Sequence, residues 1–406
     1  MGELAINGGE PVRRGAFAQF PAFDERELSA LKEVLESGVW GGYNPKVKEF
    51  EQAFAGFQGA RFGITAVNGT VTLEAALQAA GIGEGDEVIV PPISFIATAT
   101  AVLRVGAVPV FVDIDGFTCN LDPAKVGEAI TERTRAVIPV HFAGQPADMD
   151  ALMGLAERHQ LVVIEDCAHA HGASWKGKSV GSFGDFGSFS FQASKNLTAG
   201  EGGFLTTNDV ELAEIARSIC NQGRRTGGAW YEHVRLGTNY RITGWQAAIL
   251  LTQLQRLPEQ LKRRNENARI LNEQLSGIEL IRLPTVNERV SSHSYYLYLI
   301  RLNLERYPGL TKGGFAKALT AEGVPCSDGY PHPLYRNEVF RSYEHKQTDC
   351  VQAEQMCADT IWLSHEVMLS ESDSMGDVTS AIEKIAANVA EITTQGRQAG
   401  AAGERQ

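Results

Sequence analysis

The chain has 406 residues, 43% of them hydrophobic and 21% charged, and carries a formal net charge of −12. That length exceeds one ordinary domain and suits a large domain with a smaller one around a sizeable core. No apolar run reaches membrane-spanning length, no Lys/Arg cluster offers itself to nucleic acid, and Met1–Glu10 lacks the basic-then-apolar order of a secretory signal, so a cytoplasmic location is expected.

From about residue 60 to 210, short β-branched apolar runs alternate with helix-patterned stretches, the signature of parallel βαβ construction. The predicted strands are Phe62–Val67, Glu87–Val90, Val108–Asp113, Ala136–Val140, Leu161–Glu165, Phe186–Phe191 and Gly203–Thr207; Val71–Ala80, Ile96–Val105 and Asp148–His159 read as helices. A mostly parallel seven-stranded α/β sheet is expected, within a large domain of residues 1–255. Residues 222–240 are polar, Gly-rich and aperiodic, too long for a passive connector, and read as a functional loop. The helical spacing of Gln246–Leu275 predicts a long helix leading through a small α+β domain of residues 256–393. The patternless tail 394–406 is expected to be disordered. Cys119, Cys167, Cys220, Cys326, Cys350 and Cys357 are scattered without a Cys-x-x-Cys pair, which favours free thiols over a disulfide framework or a metal site.

Open α/β sheets bind ligands beyond the carboxyl ends of their strands, where Asn68-Gly69-Thr70, Asp113 and Asp166 all fall. Lys195 follows a strand in the run Ser188-Phe-Ser-Phe-Gln-Ala-Ser-Lys195, with Gly200, Gly202 and Gly203 letting backbone pass close by. Alone it would be a solvated surface lysine, Asp166 a helix cap and Phe95 a core residue. Together with Asn68-Gly-Thr-Val-Thr72 at a helix start they supply what pyridoxal phosphate needs. These are an amine to form an imine, a carboxylate to keep the ring nitrogen protonated, an anion cradle, and an aromatic wall. Ala168 is small enough to lie under the ring, His169 can reach its hydroxyl, Ser190 can add a hydroxyl to the phosphate, and the freed Lys195 amine can shuttle the proton. Neither Gly-x-Gly-x-x-Gly nor a P-loop is present, which disfavours a nicotinamide oxidoreductase or a nucleotide triphosphatase.

These segments, with Val39–Phe54, Pro91–Thr98, Phe111–Asp115, Pro139–Gly144, Glu165–Gly172 and Gly237–Ile242, resemble the DegT/DnrJ/EryC1/StrS family, a branch of the fold-type I pyridoxal-phosphate enzymes, over nearly the whole chain. The resemblance implies Lys195 as the Schiff-base lysine, Asp166 on the pyridine nitrogen, His169 near the phenolic oxygen, Phe95 stacked on the ring, and Gly69, Thr70 and Ser190 on the phosphate. It also implies that Asn239 reaches the phosphate of the neighbouring subunit's cofactor, so that the active unit is a homodimer. Relatives with His at the Lys195 position are dehydratases, so lysine implies amino transfer.

Gln192 and Tyr296 stand where many nucleotide-sugar members carry His. With Ile361–Leu369, they make the chain look more like the cyclitol (scyllo-inosose) aminotransferases and the aminohydroxybenzoate synthases. The expected donor is then L-glutamine or L-glutamate and the acceptor a keto-cyclitol or keto-sugar, with pyridoxamine phosphate as the carrier form. An aminohydroxybenzoate-synthase-like dehydratase and a nucleotide-sugar aminotransferase stay open as alternatives. A non-catalytic use of the same fold is opposed by the intact Lys195, Asp166 and phosphate cradle. Tyr296, His293, His332 and His365 are candidate substrate contacts, although each histidine is more readily a satisfied structural residue.

Overall fold

The computed structural model describes residues 2–392, so the tail expected at 394–406 lies outside the described residues. The strands in chain order are β1 (Phe62–Ala66), β2 (Glu87–Val90), β3 (Val108–Phe111), β4 (Thr134–Val137), β5 (Val162–Asp166), β6 (Ser174–Trp175), β7 (Lys178–Ser179), β8 (Phe186–Ser190), β9 (Gly203–Thr207), β10 (Ile281–Arg282), β11 (Val290–Ser292), β12 (Leu297–Leu302), β13 (Lys346–Gln347) and β14 (Thr360–Ser364). The main sheet has the order β1-β9-β8-β5-β4-β2-β3-β13. Its pairings are parallel from β8 through β13, while β9 runs antiparallel to both β8 and β1.

All seven expected strands form within three residues of their predicted bounds, the largest shift being β4, which ends at Val137 where Val140 was expected. The two-residue β13, from the C-terminal third, adds an eighth at the edge beside β3. It is too short to carry a period and invisible to pattern reading. The helices around the sheet are α1 (Glu25–Ser37), α2 (Pro45–Phe57), α3 (Gly69–Ala79), α4 (Ala97–Arg104), α5 (Pro123–Ala129), α6 (Met149–His159), α7 (Val210–Cys220) and α8 (Gly244–Leu275). Helix α3 begins because the Asn68 side chain accepts from the Val71 N–H at 3.0 Å, and α8 because Thr243 and Gln246 form a capping box.

Apart from the exposed edge strand β13 and Arg135 in β4, the strands of the main sheet are buried on both faces, as a covered parallel sheet requires, with Val88, Val90, Ile138, Ile164 and Leu205 in its core. A second core gathers Leu271, Leu275, Tyr298, Ile300, Phe315, Ile361 and Ile382 around the sheet β10-β12-β14. Helix α8 runs unbroken past residue 255, and its C-terminal half supplies that second core. Leu4 packs into it from the N-terminus, while Leu334 and Phe340 pack into the first. All six cysteines are free.

Candidate active site

The carboxyl end of β5 places Asp166 at the floor of a cavity of about 560 Å³. The Thr98 hydroxyl, in the first turn of α4, donates to Asp166 Oδ2 at 2.8 Å, and the Ala168 N–H donates to Oδ1 at 3.2 Å. Burial pushes the Asp166 carboxyl above the ordinary carboxylate range, opposed by those two donors and by the nearby Lys195 charge. The strand end is braced from behind. The Ala147 N–H donates to His141 Nδ1, which leaves Nε2 to donate to Glu165 at 3.1 Å. Glu165 also accepts from the N–H groups of Gly181, Phe183 and Gly184. His141, Glu165 and Cys167 are close enough together to hold a cation, but the histidine and carboxylate atoms are already spent on hydrogen bonds.

Beyond β8 the chain turns tightly. The Lys195 N–H donates to the Gln192 carbonyl at 2.8 Å, and Gln192 Oε1 accepts from the Ser194 N–H and hydroxyl. The turn delivers the Lys195 side chain into the cavity, 4.4 Å from the centroid of the Tyr296 ring. Among the described residues the ammonium makes no hydrogen bond or ion pair. Burial lowers its pKa to about 8, against the attraction of Asp166.

The cradle forms where α3 begins. A Cβ on Gly69 would lie 2.8 Å from the Ser190 Cβ, and one on Gly203 would lie in contact with the Asn68 carbonyl oxygen, so glycine at both positions lets the helix start meet the ends of β8 and β9. The first N–H groups of α3 and the Ser190 hydroxyl therefore face the same space. Phe95 lines the cavity with 59% of its surface exposed. His169 stacks on Tyr296 at 4.2 Å between ring centroids, its Nδ1 is buried without a hydrogen-bond partner, and burial keeps it neutral.

The cavity thus brings together Gly69, Thr70, Phe95, Asp166, Ala168, His169, Ser190, Lys195 and Tyr296 from the sequence-based set. It does not bring in three of the histidines. His293 stacks on Tyr295 at 3.8 Å and accepts that residue's N–H. His332 bonds its neighbour Pro333, and His365 sits behind the lysine turn, bonded on both ring nitrogens. Asn239 is exposed on the loop outside its own chain's cavity. Sequence reasoning missed Thr98, Ser94, Glu201, Tyr330 and Trp362. Thr98 could have been found, since Ser94 and Thr98 sit four apart where α4 starts and share a 2.7 Å hydrogen bond. Tyr330 carries no local signal, and Trp362, although inside the Ile361–Leu369 segment that carries the subgroup resemblance, gives no sign in the sequence of facing the cavity; both reach it by tertiary folding.

The chain matches the DegT/DnrJ/EryC1/StrS aminotransferase family over residues 21–383. It is 37% identical over 421 residues to the L-glutamine:2-deoxy-scyllo-inosose aminotransferase of Streptomyces paromomycinus, with 96% of this chain and 99% of that protein covered. It is likewise 37% identical over 420 residues to the L-glutamine:scyllo-inosose aminotransferase of Streptomyces griseus, with the same shares covered. The crystal structure of 3-amino-5-hydroxybenzoic acid synthase superposes with a TM-score of 0.86 at 35% identity, covering 93% of this chain and 100% of that one. The chain therefore belongs to the DegT/DnrJ/EryC1/StrS aminotransferase family, and it is an aminotransferase with the fold-type I architecture of the pyridoxal-phosphate enzymes.

Proposed function

We propose that the enzyme uses pyridoxal 5'-phosphate to move an amino group from L-glutamine or L-glutamate to a keto-cyclitol of the scyllo-inosose type, or a related keto-sugar, in the cytoplasm. The observation that carries this is the meeting of the Lys195 amine, the Asp166 carboxylate and the start of α3 in one cavity. The residues present fit the cofactor. Asp166 is held above its ordinary pKa and is suited to a cationic ring N–H, and the buried His169 Nδ1 lacks a partner that a phenolic oxygen could supply. Phe95 and Ala168 would cover the ring faces, while Gly69, Thr70 and Ser190 would hold the phosphate. When bound, the cofactor supplies an electron-accepting ring and carries the amino group between donor and acceptor.

The protein's own part is to bind, orient and move protons. Lys195, with a pKa of about 8, is partly neutral near pH 7 and can take a proton from a substrate carbon and return it. Thr98 and the Ala168 N–H hold the Asp166 carboxylate in one orientation, so that its charge is already aimed when the ring arrives. On the substrate side, Gln192, Ser194 and Glu201 offer hydrogen bonds to hydroxyls, and Tyr296, Tyr330 and Trp362 offer ring faces to the apolar face of a cyclitol. The names of the 37%-identical relatives favour glutamine and a scyllo-inosose. No helix among the described residues is long and apolar enough to cross a membrane.

A homodimer with shared sites belongs to the same reading. Trp230, Tyr231 and Leu236 on the loop of residues 222–240 are 79%, 76% and 93% exposed, an apolar surface suited to a second copy, and Asn239 on that loop is free to reach the partner's phosphate. Residues 1–255 would form the cofactor-binding domain and 256–393 the smaller one.

Structural likeness to 3-amino-5-hydroxybenzoic acid synthase favours a second reading, elimination of water from a cyclic amino-ketone with aromatisation. The purified holoenzyme is to be mixed with L-glutamine, L-glutamate and L-alanine separately, and its visible absorbance followed. Loss of the lysine-linked cofactor band with glutamine or glutamate, followed by turnover of scyllo-inosose or 2-deoxy-scyllo-inosose, supports the leading reading. Aromatisation of aminodehydroshikimate without turnover of those ketones replaces it with the second.

A further inference from the structure

Behind the lysine turn lies a chain of hydrogen bonds, buried at its Arg264–His365 end and reaching the surface at Ser194, with no place in the chemistry described so far. Arg264, on α8, is fully buried, and one of its terminal N–H groups donates to His365 Nδ1 at 2.9 Å. An arginine can only donate, so His365 Nδ1 must be the unprotonated nitrogen. The other ring nitrogen, Nε2, lies 3.0 Å from the Ser194 carbonyl, which can only accept, so Nε2 carries the proton. The tautomer of His365 is thereby fixed, and the ring is neutral. Burial and the Arg264 charge both hold it well below its ordinary pKa.

Ser194 is gripped on its other side as well. Its hydroxyl shares a 2.9 Å hydrogen bond with the Tyr296 hydroxyl, and the Tyr296 ring lies under the Lys195 ammonium. The residue before the reacting lysine is thus held at its carbonyl by His365 and at its hydroxyl by Tyr296. Arg264 is an expensive component for this task. Among the described residues its Nε and its other terminal nitrogen are buried without partners, and Glu366, whose charge acts on it, forms no ion pair with it. Core packing alone would be served better by an apolar side chain, because a buried unpaired cation costs stability.

We propose that Arg264 and His365 are positioning residues for Lys195. The arginine sets the histidine tautomer, the histidine pins the Ser194 carbonyl, and the pinned turn keeps the lysine amine desolvated against Tyr296. The proposal rests on Lys195 being the reacting amine, but its test reads the lysine's environment without the cofactor. The titratable and charged groups around Lys195 are Asp166 at the end of β5, His169 and His171 on the turn after it, Tyr296, Tyr330 and Glu201 on the cavity wall, and His365 with Arg264 behind. Exchanging the neutral His365 for another neutral side chain leaves every other one of these charges in place.

The experiment is reductive methylation of the full-length apoprotein with formaldehyde and cyanoborohydride across a pH series, with modification at Lys195 read by mass spectrometry. It is run on wild type, His365→Gln, His365→Phe and Arg264→Met, each checked for native circular dichroism. Glutamine can donate to Ser194 and accept from Arg264, whereas phenylalanine fills the space and can do neither. The expected result is a Lys195 midpoint near pH 8 for wild type and His365→Gln. His365→Phe and Arg264→Met should move upward toward an ordinary lysine at about 10.4. In the holoenzyme, kcat for His365→Phe should fall on the order of tenfold, with KM for the donor little changed. An unchanged midpoint and kcat in a folded His365→Phe protein overturns the proposal, as does a Gln variant that behaves like the Phe one. If His365→Phe does not fold, Arg264→Met decides by the same midpoint. Loss of activity in Lys195→Ala is a separate matter and tests only the role of the lysine.

Discussion

The Lys195 ammonium lies 4.4 Å from the centroid of the Tyr296 ring, and the same ring stacks on His169 at 4.2 Å. One tyrosine therefore backs both the amine and the imidazole expected at the cofactor. A cation over an aromatic face gains roughly 0.5–2 kcal/mol, which partly offsets the cost of burying the charge. Lys195→Ala removes covalent chemistry and proton transfer but little packing. Turnover should fall below about a thousandth of wild type with thermal stability unchanged. Tyr296→Phe keeps the ring and loses only the bond to Ser194, so steady-state kinetics should show a loss below about tenfold. Equal losses in the two variants would contradict this division of roles.

Gly69 is set by close approach. An added Cβ would meet the Ser190 Cβ at 2.8 Å, pushing the start of α3 away from the end of β8 and opening the anion cradle. Gly69→Ala should weaken pyridoxal-phosphate retention on the order of tenfold, as measured by equilibrium dialysis. Adding Ser190→Gly should relieve the clash and return thermal stability toward wild type, without restoring retention, because the Ser190 hydroxyl is lost with it.

Asp166 and Thr98 make a graded pair. Asp166→Asn keeps a side chain of the same shape beside Thr98 but removes the charge, and kcat should drop by roughly 10²–10³-fold. Thr98→Val leaves the carboxylate in place and takes away its 2.8 Å donor. The carboxyl pKa should rise further and kcat fall by about tenfold, with a larger deficit at lower pH. A flat pH dependence of the Thr98→Val to wild-type ratio would argue against the donor's role.

Much of this was legible because it is local. A β-strand carries its own apolar period, and the cradle, the Asp166 turn and the lysine run each lie within a few residues of a strand end, so seven strands and nine cavity residues could be read directly. What escaped depends on distant chain segments. Trp362 reaches the cavity because β14 pairs with β12, and Tyr330 comes from an irregular stretch with no period. The histidines are the opposite case. Each reads more readily as a satisfied structural residue than as a substrate contact, and residue type alone goes no further, because it cannot distinguish a ring aimed at a ligand from one whose two nitrogens are already bonded, as in His365.

Asn239 tests the proposed dimer. Its side chain lies outside its own cavity and, among the described residues, makes only a long 3.4 Å contact with the Arg241 N–H. If it reaches the partner's phosphate, Asn239→Ala should weaken cofactor retention by about tenfold or more while leaving the dimer intact by light scattering. Unchanged retention would remove the cross-subunit role.

The buried histidines set the acid limit of stability. Burial holds His171 and His293 at about 3, and His169 and His365 well below their ordinary value. In the unfolded chain each titrates near about 6.5. Between those values the unfolded chain binds protons that the folded chain refuses, so the contribution to stability is complete above about pH 6.5 and is lost as pH falls toward 3. Each such group steepens the loss by up to about 1.4 kcal/mol per pH unit. His293 stands apart from the cavity and stacks on Tyr295, so His293→Phe keeps the stack and removes one titrating group. Calorimetry from pH 7 to 4.5 should show a lower melting temperature for this variant at neutral pH, from the lost acceptor for the Tyr295 N–H. Its decline with acid should be shallower, so that the two curves converge. Parallel curves would show that His293 titrates alike in the folded and unfolded chains.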